Sequence, residues 1–145
     1  MQSIVSTGVR RADARRRPRI HVAEQDYDRL AYLAEHAAGP GARLLERELE
    51  RAVLVDPKRH RRPFVRLYST VTFYEPTTGQ ARRITLTPAA EADIDQGRLS
   101  VTAPVGAALL GLAIGDVFVW RGEDGREREV AVLRIEAEPG PDAAA

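Results

Sequence analysis

Three histidines, His21, His36 and His60, are the side chains of this 145-residue chain best suited to hold a transition metal or move a proton near neutrality. They lie far apart in the sequence. None has the HExxH spacing that puts two imidazoles on one helical face, and the chain has no cysteine to complete a thiolate cage. Glu91, Asp93 and Asp95 alternate like the first three ligands of a calcium loop. Gln96, however, stands where that loop turns on glycine, and Thr102 where it closes with a bidentate glutamate. Gly106 and Gly111 have the spacing of a phosphate loop, but Leu112-Ala113 follow in place of the lysine and hydroxyl that hold phosphate and magnesium. A GxSxG nucleophile elbow is also missing from the sequence. No catalytic residue, metal or cofactor is therefore expected, and the chain reads as a binding protein rather than an enzyme.

The elements that would carry a binding surface follow from composition and periodicity. An apolar fraction of 43% is enough for a core of one ordinary domain. No run approaches the roughly 18 apolar residues of a membrane helix, and the arginines near the N-terminus precede no apolar signal core. With no disulfide to form, a soluble, cytoplasmic protein without membrane contact is expected. The net charge of +1 conceals a division: residues 1–62 carry 14 basic and 9 acidic groups, net +5, and residues 63–145 carry 8 and 12, net −4. Arg10, Arg11, Arg15, Arg16, Arg17 and Arg19 make most of that excess within residues 1–19, which have almost no large apolar side chains beyond Ile4, Val5 and Val9 and read as a flexible basic tail.

Tyr27, Leu30, Ala31, Ala34 and Ala38 recur at spacings of three and four and predict a helix starting near Glu24, where Glu24, Asp26 and Asp28 favour the positive end of its dipole. Gly39-Pro40-Gly41 must end it. A second helix is expected from about Ala42 to Val55, with Leu45, Leu49, Ala52 and Val53 as its apolar stripe. Residues 20–57 would then form a short antiparallel hairpin, a short coiled coil with arms of roughly 20–24 Å. Its tip would hold Ala38, Gly39, Pro40 and Gly41, with no carboxylate. Residues 58–63, with Lys58, Arg59, Arg61 and Arg62, read as an exposed basic linker.

Beyond the linker, strict alternation predicts a half-buried strand from Phe64 to Tyr74, with Val65, Leu67, Val71 and Phe73 on one face. Gln80 to Thr87 reads as a second strand, Ala89 to Gly97 as an acidic surface loop, and Leu99 to Thr102 as short and extended. Pro104 suits the first turn of a short helix that Gly111 ends. Asp116 to Arg121 and Glu127 to Ala137 should pair as a hairpin, before a frayed end at 139–145. The aromatic residues Phe64, Phe73, Phe118 and Trp120 fall on strands, as core residues usually do.

The stretch Leu99-Ser100-Val101-Thr102-Ala103-Pro104-Val105-Gly106-Ala107-Ala108-Leu109-Leu110-Gly111, followed by Gly115-Asp116, resembles the C-terminal signature of the Gre-type transcript cleavage factors. The short hairpin ahead of it, Ala103 in place of serine and Leu112 in place of lysine make residues 18–138 more similar to the Gre-like Rnk family, the regulators of nucleoside diphosphate kinase. The resemblance implies an α+β fold: the short N-terminal hairpin, then a C-terminal FKBP-like antiparallel β domain at 64–138 with one short helix. It also implies a transcription regulator that binds core RNA polymerase at the rim of the secondary channel, regulates elongation and competes with Gre-type factors. Ala103, Pro104, Val105, Gly106, Leu109 and Leu110 would be its polymerase-binding residues. The cleavage factors hold a second catalytic magnesium with acidic residues at the hairpin tip. This tip has none, so no cleavage activity is expected. Two other functions compete with this one: an FKBP-like prolyl isomerase, and a direct nucleic-acid binder using Lys58, Arg59, Arg61, Arg62 and the basic tail. The residues leave open the oligomeric state and whether any effect on nucleoside diphosphate kinase is direct.

Overall fold

The computed structural model describes residues 17–136. Arg10, Arg11, Arg15 and Arg16 of the basic run, and the frayed end expected at 139–145, lie outside the described residues. The chain enters through β1 (His21–Ala23), then α1 (Glu24–Glu35) and α2 (Pro40–Glu50), and returns through β2 (Val53–Val55). β1 and β2 pair in parallel, His21 opposite Val53 and Ala23 opposite Val55. A parallel pair needs a crossover, and here the helical hairpin supplies it.

The second helix therefore differs from expectation at both ends. Pro40, with its fixed φ and missing N–H, starts α2 two residues early. Gly39 before it adopts φ +102, a conformation that side chains resist. At the other end Val53-Leu54-Val55 is strand, because its two β-branched valines, next to the β1 edge, gain more from ladder bonds than from another helical turn. Glu48, expected on the wet face of α2, is buried and ion-paired with Arg51 at 2.6 Å. The buried side of α2 is broader than its sequence stripe because the helix packs against α1 and against the short helix α3 (Pro104–Leu109).

The second sheet has the order β5-β4-β3-β7-β6. Its strands are β3 (Thr70–Glu75), β4 (Gln80–Thr87), β5 (Arg98–Ser100), β6 (Val117–Arg121) and β7 (Glu127–Glu136). The pairings are antiparallel except for β4 with β5. β4 and the β6–β7 hairpin form where the sequence places them, and Val71 and Phe73 are fully buried, as alternation requires. Opposite Thr72 and Phe73 the register of β7 slips, leaving Leu133 bulged and half exposed, and such a bulge bends the sheet.

The strand expected from Phe64 begins only at Thr70. Residues 64–65 bond instead to the chain after α3: the Val65 N–H donates to Leu112 O at 2.9 Å, and the Gly111 N–H donates to Val65 O at 2.9 Å. The backbone then turns, with the Ser69 hydroxyl accepting from the Arg66 N–H at 2.8 Å and Tyr68 at φ +72. The expected alternation therefore fails over Phe64 to Leu67: Phe64 and Val65 are both buried, and Arg66 and Leu67 are both half-buried. Ile20, Leu30, Leu45 and Leu49 from the hairpin region join Phe73, Leu86, Leu109 and Val130 in one hydrophobic cluster. The hairpin and the curled sheet share a core.

Candidate functional site

The segment from Leu99 to Gly111 is held by contacts that leave no room for side chains. A Cβ on Gly106 would lie 2.0 Å from Ser100 O, and one on Gly111, which has φ +81, would lie 2.8 Å from Ile20 Cβ. The hairpin tip is built into the same place. A Cβ on Gly41 would lie 2.0 Å from Thr102 O and 2.7 Å from the Pro104 nitrogen, so the start of α2 rests on the start of α3, backbone against backbone. His21 adds an N–H bond to Gly111 O at 3.1 Å.

This packing sorts the residues singled out in the sequence. Gly106, Leu109 and Leu110 are buried, whereas Ala103, Pro104 and Val105 are half-buried and reach the surface. At the tip Ala38 is exposed, Gly39 and Pro40 are half-buried and Gly41 is covered. Tip and signature segment, more than 60 positions apart at Gly41 and Pro104, thus make one continuous surface.

Lys58, Arg59, Arg61 and Arg62 are exposed at the opposite end of the hairpin, where Asp56 accepts from the Lys58 N–H at 3.0 Å and lies 3.9 Å from Arg59. Between them His60 turns inward. Its ring lies 4.5 Å from that of His21 and edge-on to Phe64 at 5.4 Å. Burial, and then the positive charges of His60, Arg19 and Arg62, push the His21 pKa below its ordinary value, against a weaker opposite pull from Asp116.

The acidic loop is committed to structure. Glu91 accepts the Tyr68 hydroxyl at 2.8 Å, and its backbone carbonyl accepts from Arg98 Nε at 2.9 Å. Asp93 caps the following turn by accepting from the Asp95 N–H. Burial and the bond to Glu91 raise the Tyr68 pKa. Among the described residues no group of three or more His, Asp or Glu side chains is placed to hold a metal. Arg29 joins this network at 3.2 Å from the Tyr68 hydroxyl, and Arg66 grips Asp26 through two bonds of 2.8 and 3.2 Å. Both tie α1 to the segment entering the sheet.

One feature escapes a reading of the sequence. Between α2 and the β6–β7 turn lies a groove of about 440 Å³, lined by Arg43, Arg47, Pro104, Trp120, Arg121 and Arg128 among others. Arg43 and Arg47 look like ordinary wet residues opposite an apolar stripe, and Trp120 like core. Trp120 does pack against the core, its ring 6.0 Å from that of Phe118, but it is only half-buried, and the Arg128 guanidinium lies 5.9 Å from its ring centroid. The signal that could have found the groove is the pair Arg43 and Arg47, one helical turn apart on one face.

Comparison with known proteins covers both parts of the chain. The family model for the GreA/GreB transcription elongation factor C-terminal region matches residues 60–137, and that for the Rnk N-terminus matches residues 18–55. The regulator of nucleoside diphosphate kinase of Escherichia coli K12 is 36% identical over 126 residues, covering 85% of this chain and 93% of that protein. Transcription elongation factor GreA of Prosthecochloris aestuarii is 39% identical over 84 residues, and the match spans only 52% of its length. Among solved structures, a prokaryotic transcription elongation factor GreA/GreB from Nitrosomonas europaea superposes with a TM-score of 0.64 at 35% identity, covering 83% of this chain and 99% of that one. Similarity across hairpin and sheet alike, on a fold in which the two share one core, means that this chain belongs to the Rnk family of GreA/GreB-related proteins.

Proposed function

We propose that the protein is a transcription regulator that binds core RNA polymerase at the secondary channel, performs no transcript cleavage, and competes there with Gre-type factors. Family membership supports the regulatory role in transcription. The observation that carries the mechanism is the seat of the hairpin tip. Gly41 rests on Thr102 to Pro104, so the first turn of α2, just behind the tip, is seated on the C-terminal part. α1 and α2 have 12 and 11 residues, giving arms of about 16–18 Å. A hard cation such as magnesium takes oxygen ligands at about 2.1 Å, and Ala38, Gly39, Pro40 and Gly41 bring no carboxylate to offer one.

In this reading Ala103, Pro104 and Val105 make the contact with polymerase, while Gly106, Leu109 and Leu110 shape α3 from within. The β domain is taken as FKBP-like, and the exposed Lys58, Arg59, Arg61 and Arg62 add a weak, salt-sensitive contact with nucleic acid. Titrating the protein into a backtracked polymerase complex should suppress Gre-stimulated cleavage without any cleavage of its own. Unchanged Gre-stimulated cleavage at saturation would remove the proposal. Placing carboxylates on the accessible tip, as Ala37→Asp with Ala38→Glu, should leave the protein unable to stimulate cleavage while it still binds; robust cleavage would mean that the tip does reach the active centre.

A further inference from the structure

We propose that the groove between α2 and the β6–β7 turn is a binding site for a free nucleoside polyphosphate. Arg43, Arg47, Arg121 and Arg128 line it together with Trp120 and Pro104. Its volume of about 440 Å³ lies within the range of small-molecule sites. Planar guanidinium forks match phosphate oxygens two at a time, and an indole offers a flat apolar surface to a base. A ligand that uses both must carry several negative charges and one flat ring.

The arginines of the groove are only partly neutralised from within. Arginine pairs elsewhere range from short ones, Arg66 on Asp26 and Arg83 on Glu136 at 2.8 Å, to loose ones, Arg29 on Glu91 and Arg98 on Asp93 at 3.8 Å. In the groove Arg47 makes no ion pair among the described residues, and Arg128 reaches Glu75 only at 3.9 Å. Glu75 is also shared with Arg82 at 3.4 Å. Arg121 donates to the Gly125 carbonyl and so keeps its full charge. Two carboxylates face the same space. Glu123 is 3.3 Å from Arg43, and Asp124 accepts from the Arg126 N–H at 3.0 Å, so the four cations keep an excess over the two anions. A diffuse basic surface would present the same charge without the indole or the concavity, and the combination singles out a phosphorylated ligand with a ring.

Trp120 is the only tryptophan in the chain, so intrinsic tryptophan fluorescence reports on this groove alone. The full-length protein is titrated at low salt with GTP, ATP, inorganic tripolyphosphate, guanosine and a short single-stranded RNA. The expected result is saturable quenching by at least one nucleoside triphosphate, at concentrations where guanosine has no effect and tripolyphosphate binds more weakly. Arg47→Ala and Arg128→Ala should each weaken that binding by about tenfold, the loss of one charged hydrogen bond, with the melting temperature of Arg47→Ala unchanged. Absence of saturable quenching overturns the proposal. So does equal binding of tripolyphosphate and nucleotide, which would make the site a simple anion trap, or tighter binding of the RNA, which would make its occupant a strand. Persistence of full affinity in both variants likewise overturns it. None of these results depends on polymerase, so they stand apart from the test of the proposed function.

Discussion

α2 serves two neighbouring regions in opposite ways. At its first turn Gly41 meets the Thr102–Pro104 backbone with no side chain between, and Gly106 and Gly111 extend the same seam beneath α3. From the following turns Arg43 and Arg47 reach into an open, wet groove whose far wall is the β6–β7 hairpin. Pro104 belongs to both, through its nitrogen in the seam and as part of the groove lining. The seam is specified by the absence of atoms and the groove by long side chains. Changes in the first should therefore be felt as lost folding, and changes in the second as lost binding.

The largest effect should come from filling the seam. Gly41→Leu forces the hairpin off α3, and its destabilisation should reach about 3 kcal/mol or more in urea unfolding. A loss within experimental error would mean that tip and sheet separate freely, and the distinction between the regions would fail. Gly106→Leu meets the Ser100 carbonyl and the Leu86 side chain, the latter able to yield in part, so a cost of about 2–3 kcal/mol is expected together with weaker polymerase binding. A stable variant that binds normally would count against both the packing argument and the role of α3.

An intermediate case sharpens the contrast. The Arg66–Asp26 pair also ties the hairpin to the rest, but through side chains that are partly exposed. Asp26→Ala should cost about 1 kcal/mol, less than either glycine change, because solvent screens what the lost pair contributed. A cost equal to that of Gly41→Leu would shift the weight of the junction from backbone packing to electrostatics.

The next effect is one of pH. Burial holds the His21 pKa below 6.5, so the unfolded chain binds the proton more readily than the folded one. Stability should be full above that value and decline as pH falls from 6.5 through the depressed folded value. Thermal melts of the native protein and His21→Gln should diverge across this window, and parallel curves would show that the burial of His21 carries no proton linkage. Smallest of all, Arg47→Ala should change unfolding stability by no more than about 0.5 kcal/mol, as for an exposed residue with no ion pair among the described residues. A larger loss would make the groove part of the scaffold.

Much of this architecture is legible in residue order. Periodicity places α1, β4 and the β6–β7 hairpin because each is a local element whose pattern has a single explanation. The Leu99 to Gly111 segment carries the family in its glycines and proline, which are required by close backbone approach. Where one pattern had two explanations, the sequence misled. Val53-Leu54-Val55 suits the end of a helix until β1 lies beside it, and the alternation of Phe64 to Leu67 suits a strand until Leu112 takes up its bonds. Glu48 reads as wet, yet it is buried, on a helix packed against both α1 and the distant α3. The groove is barely hinted at in residue order: Trp120 and Arg128 meet across the β6–β7 hairpin, but Arg43 and Arg47, one turn apart, join them only through tertiary packing. Local backbone preferences and side-chain periods are written along the chain. The meeting of distant surfaces is decided by the shared core that brings them together.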